Sequence, residues 1–183
     1  DPGLPPLQQV NGTVQFTEKD LRIPEINATL FGGPLKIKGG TEGGGKVLIN
    51  ANGSLSVTQL RKQADVKLFD SLSGAITYRG EVRVRKRSAD LTIESNLVGL
   101  ASSLPEPFNK SATVPMAMRF EKAVLPSAAP QSGEPVQRDQ LRATLGNALS
   151  MQIIRRKQAD GYLPERGAIA IGRPLQLPER GVQ

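Results

Sequence analysis

Three residues in the first quarter of the chain have the spacing of a phosphate-binding loop. Gly40, Gly45 and Lys46, in the stretch GGTEGGGKV, match the pattern G-x-x-x-x-G-K-[ST] except at its last position. That position needs Ser or Thr to hold magnesium at the start of a helix, but Val47 follows and KVLINANG has the composition of a strand. We therefore interpret the glycines as a connection between two antiparallel strands and expect no nucleotide site.

Other catalytic chemistry lacks its usual residues. The chain contains no Cys and no His, which excludes thiol nucleophiles, imidazole bases and the metal sites that these residues build. Carboxylates such as Glu18 and Asp20 lie at predicted turns, and no nucleophile, base and orienting group can be nominated together. The sequence predicts a protein that is not an enzyme and has no cofactor and no metal site.

The charge indicates a basic surface. The formal net charge is +7, and such a surface can meet nucleic acid, an anionic membrane or acidic lipid headgroups. The run RGEVRVRKR (79–87) lacks interleaved aromatic side chains, and Tyr78 has the opposite parity from its arginines. We interpret this run as a solvated outer face and expect no nucleic-acid partner.

The secondary structure that the sequence predicts consists mainly of strands. Gly and Pro account for 19 and 14 of the 183 residues, which disfavours a helical protein, and apolar residues alternate with polar ones along most of the chain. In residues 74–97 the alternation predicts a hairpin that places Val84 beside Leu91 and Val82 beside Ile93. One face of the predicted sheet is therefore apolar and the other is charged.

Three parts of the chain are expected. Residues 1–125 form a β segment with a short helix near 56–65, and residues 126–137 have the composition of a flexible linker. Residues 138–183 hold further strands and a Pro-rich tail that continue the same sheet.

The apolar face needs a cover. Leaving ten or more aliphatic side chains in water would cost on the order of 15 kcal/mol, and the chain offers one short helix and 4% aromatic residues. Two solutions stay open at this point. The sheet closes on itself as a sandwich or barrel, or it stays open as a trough filled by an apolar ligand such as lipid.

The motifs resemble one family. The stretch SNLVGLASSLPEPFNK (95–110), with LFGG (30–33), LSG (72–74) and RGAIAIG (166–172), is similar to the C-terminal region of AsmA-like proteins, in particular the YhdP type. The resemblance covers residues 8–178. It implies a mainly β fold, a curved antiparallel sheet that forms an open groove with one or two short helices. It also implies a segment of a bridge-like lipid transporter.

The resemblance also implies partners and a location. The partner is phospholipid, moved through the periplasm between the inner and outer membranes by a protein anchored in the inner membrane through parts outside this chain. Edge-to-edge self-association of the segment is a further expectation. The parity of the strands and the resemblance together nominate these lining residues: Leu35, Ile37, Val47, Ile49, Ile76, Tyr78, Val82, Val84, Leu91, Ile93 and Leu97. The alternative is a non-catalytic β-sandwich that binds a partner protein or an anionic surface through its basic face.

Overall fold

The structure, a computed structural model, describes residues 6–63, 66–85, 88–126, 137–159, 161–179 and 181–182. Within these ranges, no helix has the length and apolar character needed to cross a membrane. Most of the predicted linker, residues 127–136, lies outside the described residues. The division of the chain into separate units therefore stays a prediction.

One sheet contains the strands that the structure describes. They are β1 (Gln8–Gly12), β2 (Gln15–Phe16), β3 (Leu21–Leu30), β4 (Gly33–Glu42), β5 (Lys46–Ser56), β6 (Leu72–Arg85), β7 (Ser88–Ser95), β8 (Leu100–Ser102), β9 (Met118–Leu125), β10 (Arg138–Leu145), β11 (Leu149–Gln158), β12 (Gly161–Ile171) and β13 (Gly181–Val182). The order is β1-β3-β4-β5-β6-β7-β9-β10-β11-β12-β13, with β2 paired to β3 and β8 to β6. Only the β12–β13 pair is parallel among these strands. The predicted fold class, a mainly β, open and curved antiparallel sheet, is confirmed.

The glycine-rich stretch is a hairpin. Glu42 at the end of β4 pairs with Lys46 at the start of β5, so the lysine begins a strand and not a helix. Gly44 and Gly45 have φ values of 77° and 69°, which L-residues with a side chain rarely adopt. The glycines therefore serve the turn between two strands, as the sequence predicts.

The β6–β7 hairpin differs from its predicted register. Val82 pairs with Leu91 and Val84 with Ala89, so the predicted pairs Val84–Leu91 and Val82–Ile93 are wrong by two residues. The connection is shorter than expected, because Arg85 already pairs with Ser88. A shift of two residues keeps every side chain on its predicted face, since the side-chain period of a strand is two.

The sheet is a single layer. Contacts between the described strands fall almost entirely between hydrogen-bonded neighbours, and none of the recurrent ones joins two strands across a stacked interface. The accessible surface of the chain is 12472 Å², whereas a compact monomer of this mass would expose about 8,600 Å². The open alternative of the two sequence hypotheses therefore describes the fold.

Two short helices cover one end of β5 and β6. The helix α1 spans Val57–Gln63, and a 3-10 helix spans Lys67–Ser71. Arg61 joins them, because its guanidinium donates to the carbonyl oxygens of Phe69 (2.6 Å from Nη2) and Leu72 (2.6 Å). Val57 at the start of α1 is buried and contributes to the small core at this end.

The stretch 95–110, which carries most of the family resemblance, folds around the side-chain amine of Lys110. Lys110 is 7% exposed, and its Nζ donates to the carbonyl oxygens of Leu97 (2.9 Å), Ser111 (3.0 Å) and Leu100. Desolvation by burial lowers the pKa of Lys110. The three carbonyls lie in the connection between β7 and β9, so the amine ties three points of this connection together through hydrogen bonds.

Gly74 provides a test of close strand approach at this end of the sheet. An alanine Cβ at Gly74 would lie 2.0 Å from the carbonyl oxygen of Gly99, in addition to the strain of φ 96°. We expect Gly74→Ala to lower the free energy of unfolding by about 3 kcal/mol or more, from left-handed strain and steric overlap together.

Gly44→Ala is the matched control, because Gly44 has φ 77° with no atom within 4 Å of an added Cβ. Strain alone predicts a loss of about 1 kcal/mol there. Urea unfolding followed by far-ultraviolet circular dichroism measures both variants. Equal losses at the two positions would contradict the close approach at Gly74.

Candidate functional site

Side chains of paired residues in neighbouring strands lie on the same face of a sheet, so the pairing defines two continuous rows. The first row crosses nine strands, from β3 to β12 without β8: Ile26, Ile37, Ala51, Gly80, Ile93, Phe120, Ala143, Met151 and Ile169. The second row runs beside it across the same strands: Ile23, Gly39, Ile49, Val82, Leu91, Lys122, Leu141, Ile153 and Gly167. We call the surface that these rows form the apolar face.

Ten of the eleven nominated lining residues lie on this face. Leu35 and Tyr78 flank Gly53 in one row, Val47 and Val84 pair in another, and Ile76 pairs with Leu55. The others belong to the two rows described above: Ile37, Ile49, Val82, Leu91 and Ile93. The structure therefore brings these ten side chains together on one surface.

Leu97 is placed differently. It follows the end of β7, has a positive φ of 51° and is 7% exposed. Its carbonyl oxygen accepts from Lys110. Leu97 thus packs in the β7–β9 connection, and the alternation that joined it to Leu91 and Ile93 in the sequence stops at Ser95.

Exposure varies along the apolar face. Leu35 is buried at 4% exposure, near the helical end, whereas Ile169 and Ile171 on β12 are 46% and 55% exposed. Most of the remaining aliphatic side chains on the face are half-buried by their own neighbours in the sheet. No second layer covers them among the residues that the structure describes. Apolar surface of this extent on a single-layer sheet is typical of a binding surface.

Tyr78 lies flat across a glycine on this face. A Cβ added at Gly53 would lie 2.5 Å from the Tyr78 Cζ, so the glycine makes room for the ring. The hydroxyl is buried without a hydrogen-bond partner among the described residues, and desolvation raises the pKa of Tyr78. The ring therefore belongs to the apolar surface rather than to a polar network.

The opposite, polar face carries ion pairs between its charged side chains. Glu94 accepts from Arg119 and lies 3.8 Å from Arg79, and Glu121 accepts from Arg119 at 2.6 Å. A cavity of about 530 Å³ lies between these long side chains. The carboxylates interleave with the arginines, and Arg79 and Arg83 of the basic run each have a carboxylate within 4 Å.

Further charged side chains lie on the apolar face beside Lys122 of the second row. Asp139 and Arg155 are cross-strand partners on β10 and β11 and share the parity of Leu141 and Ile153. Asp139 is fully buried, and it accepts from Arg155 Nε at 2.8 Å and from Nη2 at 2.6 Å. The hydrogen bonds to Asp139 raise the pKa of Arg155, against an opposing effect of burial.

An aromatic ring and a second cation cover this pair. A bulge at Glu165 changes the parity of β12, so Tyr162 lies on the same face as Arg155. The ring centre of Tyr162 is 4.6 Å from the Arg155 Cζ and 5.7 Å from the Lys122 Nζ. Lys122 and Tyr162 project from β9 and β12, about 14 Å apart at their backbones, and so they reach toward each other above Asp139.

The sequence contained a signal for this cluster that its analysis missed. Asp139 occupies the parity of Leu141, Ala143 and Leu145, and Lys122 that of Met118 and Phe120. A charged residue at an apolar parity position indicates a buried ion pair or a site. The position of Tyr162 had no such signal, because the bulge that re-orients it is not visible in the alternation.

The sequence matches the model of a protein family, described as YhdP protein, over residues 1–183. The chain belongs to the YhdP family. No curated protein and no solved structure matches it.

Membership of the YhdP family places the chain in an AsmA-like, membrane-associated bacterial family related to lipid transport. It is not a family of known enzymes. No group of three or more acidic residues in the described part of the chain is arranged to hold a metal ion.

The buried ion pair of this YhdP-family chain provides a stability test. Asp139→Asn leaves Arg155 without its counter-charge, and we expect a loss of about 3 kcal/mol in the free energy of unfolding. The double variant Asp139→Leu/Arg155→Met removes both charges and keeps similar volumes, so it should lie within about 1 kcal/mol of the parent.

Urea unfolding of the parent, Asp139→Leu, Arg155→Met and the double variant gives the coupling energy of the pair. If the double variant is as unstable as Asp139→Asn, the loss comes from side-chain packing and not from an unpaired buried charge.

Proposed function

We propose that this chain is a segment of a periplasmic hydrophobic groove that binds phospholipid acyl chains and conducts them between the inner and outer membranes. In this proposal the parent protein is anchored in the inner membrane through parts outside the chain. The observation that supports it is the extent of the apolar face: its first row runs across nine strands without a charged side chain, its second row contains one, Lys122, and no second layer covers either row among the described residues. Membership of a family related to lipid transport agrees with it.

The dimensions of the apolar face suit acyl chains. Nine strands give eight intervals, so each row extends about 38 Å at the usual strand spacing. The hydrocarbon core of a bilayer is about 30 Å thick and holds two leaflets, so one acyl chain extends about 15 Å. The rows can therefore hold more than one chain end to end, in the direction that transport along the sheet requires.

The energetics favour loose binding. Burying one methylene group contributes about 0.8 kcal/mol, and an open sheet removes water from one side of the chain only. A chain of about a dozen methylenes then gains on the order of 5 kcal/mol. That gain is small enough for lipid to leave one position and enter the next, as conduction along a surface requires.

The alternative function, an interaction module with a basic face, has less support. Its proposed face carries Glu94 and Glu121 between the arginines, and these ion pairs reduce the field that an anionic partner would meet. The closed sandwich that it assumed is also not what the structure describes.

Photo-crosslinking tests which face meets lipid. A benzophenone amino acid placed at Ile37 or Val82 lies on the apolar face, whereas one placed at Lys36 or Arg83 lies on the polar face of the same strands. We expect phospholipid adducts at the first two positions and at least tenfold fewer at the second two, because acyl chains prefer the apolar side chains. Mass spectrometry of the purified full chain after irradiation in cells identifies the adduct. Equal adducts on both faces would contradict the proposed function.

A carboxylate within a row tests its continuity. Ile49→Asp places a charge between Gly39 and Val82 in the second row, and Asn50→Asp places the same charge one residue away on the polar face. Since an acyl chain cannot solvate a charge, we expect Ile49→Asp to lower phospholipid retention about tenfold.

The measurement is phospholipid retained by the full chain after incubation with vesicles of phosphatidylethanolamine and phosphatidylglycerol. Asn50→Asp should retain as much as the parent, and circular dichroism confirms that both variants fold. Unchanged retention in a folded Ile49→Asp would argue against an acyl path along this row.

A further inference from the structure

The charged cluster on the apolar face begins at Lys122 of the second row, between Leu91 and Leu141, and continues beside that row. Asp139 and Arg155 form the cross-strand row that follows Leu141 and Ile153 toward the ends of the strands. This rim of the sheet also carries the β4–β5 and β11–β12 connections. A lipid whose chains lie on the two apolar rows would present its polar end near this rim.

The positive charges of the cluster exceed the negative one. Arg155 is neutralised by its two hydrogen bonds to Asp139. Lys122 has no carboxylate within ion-pair distance in the part of the chain that the structure describes. Lys157, directly opposite Tyr162, adds a further cation at the rim. With Asp139 as the one acidic side chain that faces this cluster among the described residues, an anion is the ligand that would balance its charge.

The hydrogen-bonding capacity of the cluster is not used up. Arg155 donates to Asp139 through Nε and Nη2. Its Nη1 is left as a donor with no acceptor among the described residues. The Lys122 ammonium has three donors, and its observed contact is with the ring of Tyr162. A cation–π contact is weaker than a charge-assisted hydrogen bond, so an oxyanion would displace the ring as the partner of Lys122.

The ion pair also positions the guanidinium. Asp139 holds Arg155 through a two-point contact, and Tyr162 stacks at 4.6 Å from its Cζ, so both the tilt and the direction of the guanidinium are fixed. A buried pair of this kind adds little stability compared with apolar side chains of the same volume. Its presence on a mainly apolar face is explained if it orients a donor toward a ligand.

We propose that Lys122, together with Arg155 held by Asp139, binds a phosphate oxyanion at the rim of the apolar face. Under the proposed function, on which this assignment rests, the oxyanion is the phosphate of a phospholipid whose acyl chains occupy the adjacent rows. A phosphodiester carries a single negative charge, which the ammonium of Lys122 can balance. Free inorganic phosphate has the same chemistry, and the test separates the two sources.

Binding of three probes to the full chain distinguishes the possibilities. The probes are a short-chain phosphatidylglycerol below its micellar concentration, the diacylglycerol with the same chains, and inorganic phosphate, each measured by isothermal titration calorimetry. The variant is Lys122→Met, which keeps the aliphatic stem and removes the charge. We expect it to weaken phosphatidylglycerol binding about tenfold, as the loss of one charge-assisted hydrogen bond predicts, and to leave diacylglycerol binding unchanged.

Two further variants control for charge and for folding. Lys36→Met removes a lysine from the polar face of β4 and should change none of the three affinities. Lys122→Arg keeps the charge and should restore phosphatidylglycerol binding to within about threefold of the parent, which a purely structural role of the lysine stem does not predict.

The outcomes separate this inference from the proposed function. Equal binding of phosphatidylglycerol and diacylglycerol, unaffected by Lys122→Met, would keep the acyl surface and overturn the phosphate site. Binding of inorganic phosphate alone, lost in Lys122→Met, would support the site for free phosphate and contradict the lipid groove. An equal loss of both lipids in Lys122→Met would show that Lys122 supports packing only and would overturn the assignment.

Discussion

The backbone hydrogen-bond ladder is the interaction on which the rest of this molecule depends. In most β domains the ladder is backed by a second layer that buries one face of each sheet. Here the described strands contact their hydrogen-bonded neighbours and little else, apart from α1 and the 3-10 helix at one end. Each strand is therefore held at its two edges, and its faces stay available. The small number of fully buried apolar side chains, including Leu35 and Val57, follows from this arrangement.

Parity is the part of this fold that the sequence predicts well. The alternation placed Ile37, Ile49 and Val82 on one face, and the pairing shows that they share it. The register of the β6–β7 hairpin was not predictable to the same degree, because parity is the same in registers that differ by two residues. The number of residues in the turn decides between these registers. The composition of the turn sequence KRSA (86–89) does not specify that number. The faces were thus predictable while the pairs were not.

The burial of two polar side chains, Lys110 and Asp139, could not be predicted fully from the sequence. Lys110 is surrounded by carbonyl oxygens of a loop whose path depends on many weak turn preferences, so no local pattern announced its burial. Asp139 was visible as a charge at an apolar position, yet its partner Arg155 lies 16 residues away, and their pairing follows only once the β10–β11 register is known. Both cases need tertiary geometry, because a polar side chain is buried only where its partners meet it.

A single-layer sheet with nearest-neighbour contacts also has a property that globular domains lack. Inserting or deleting one hairpin adds or removes two strands, which restores the strand direction and leaves every remaining side chain facing the way it did before. Each such step changes the span of the sheet by roughly 10 Å, and away from the helical end the described strands have no second layer that would need to repack. The number of strands in such a sheet can therefore change during evolution while the length of each strand stays the same.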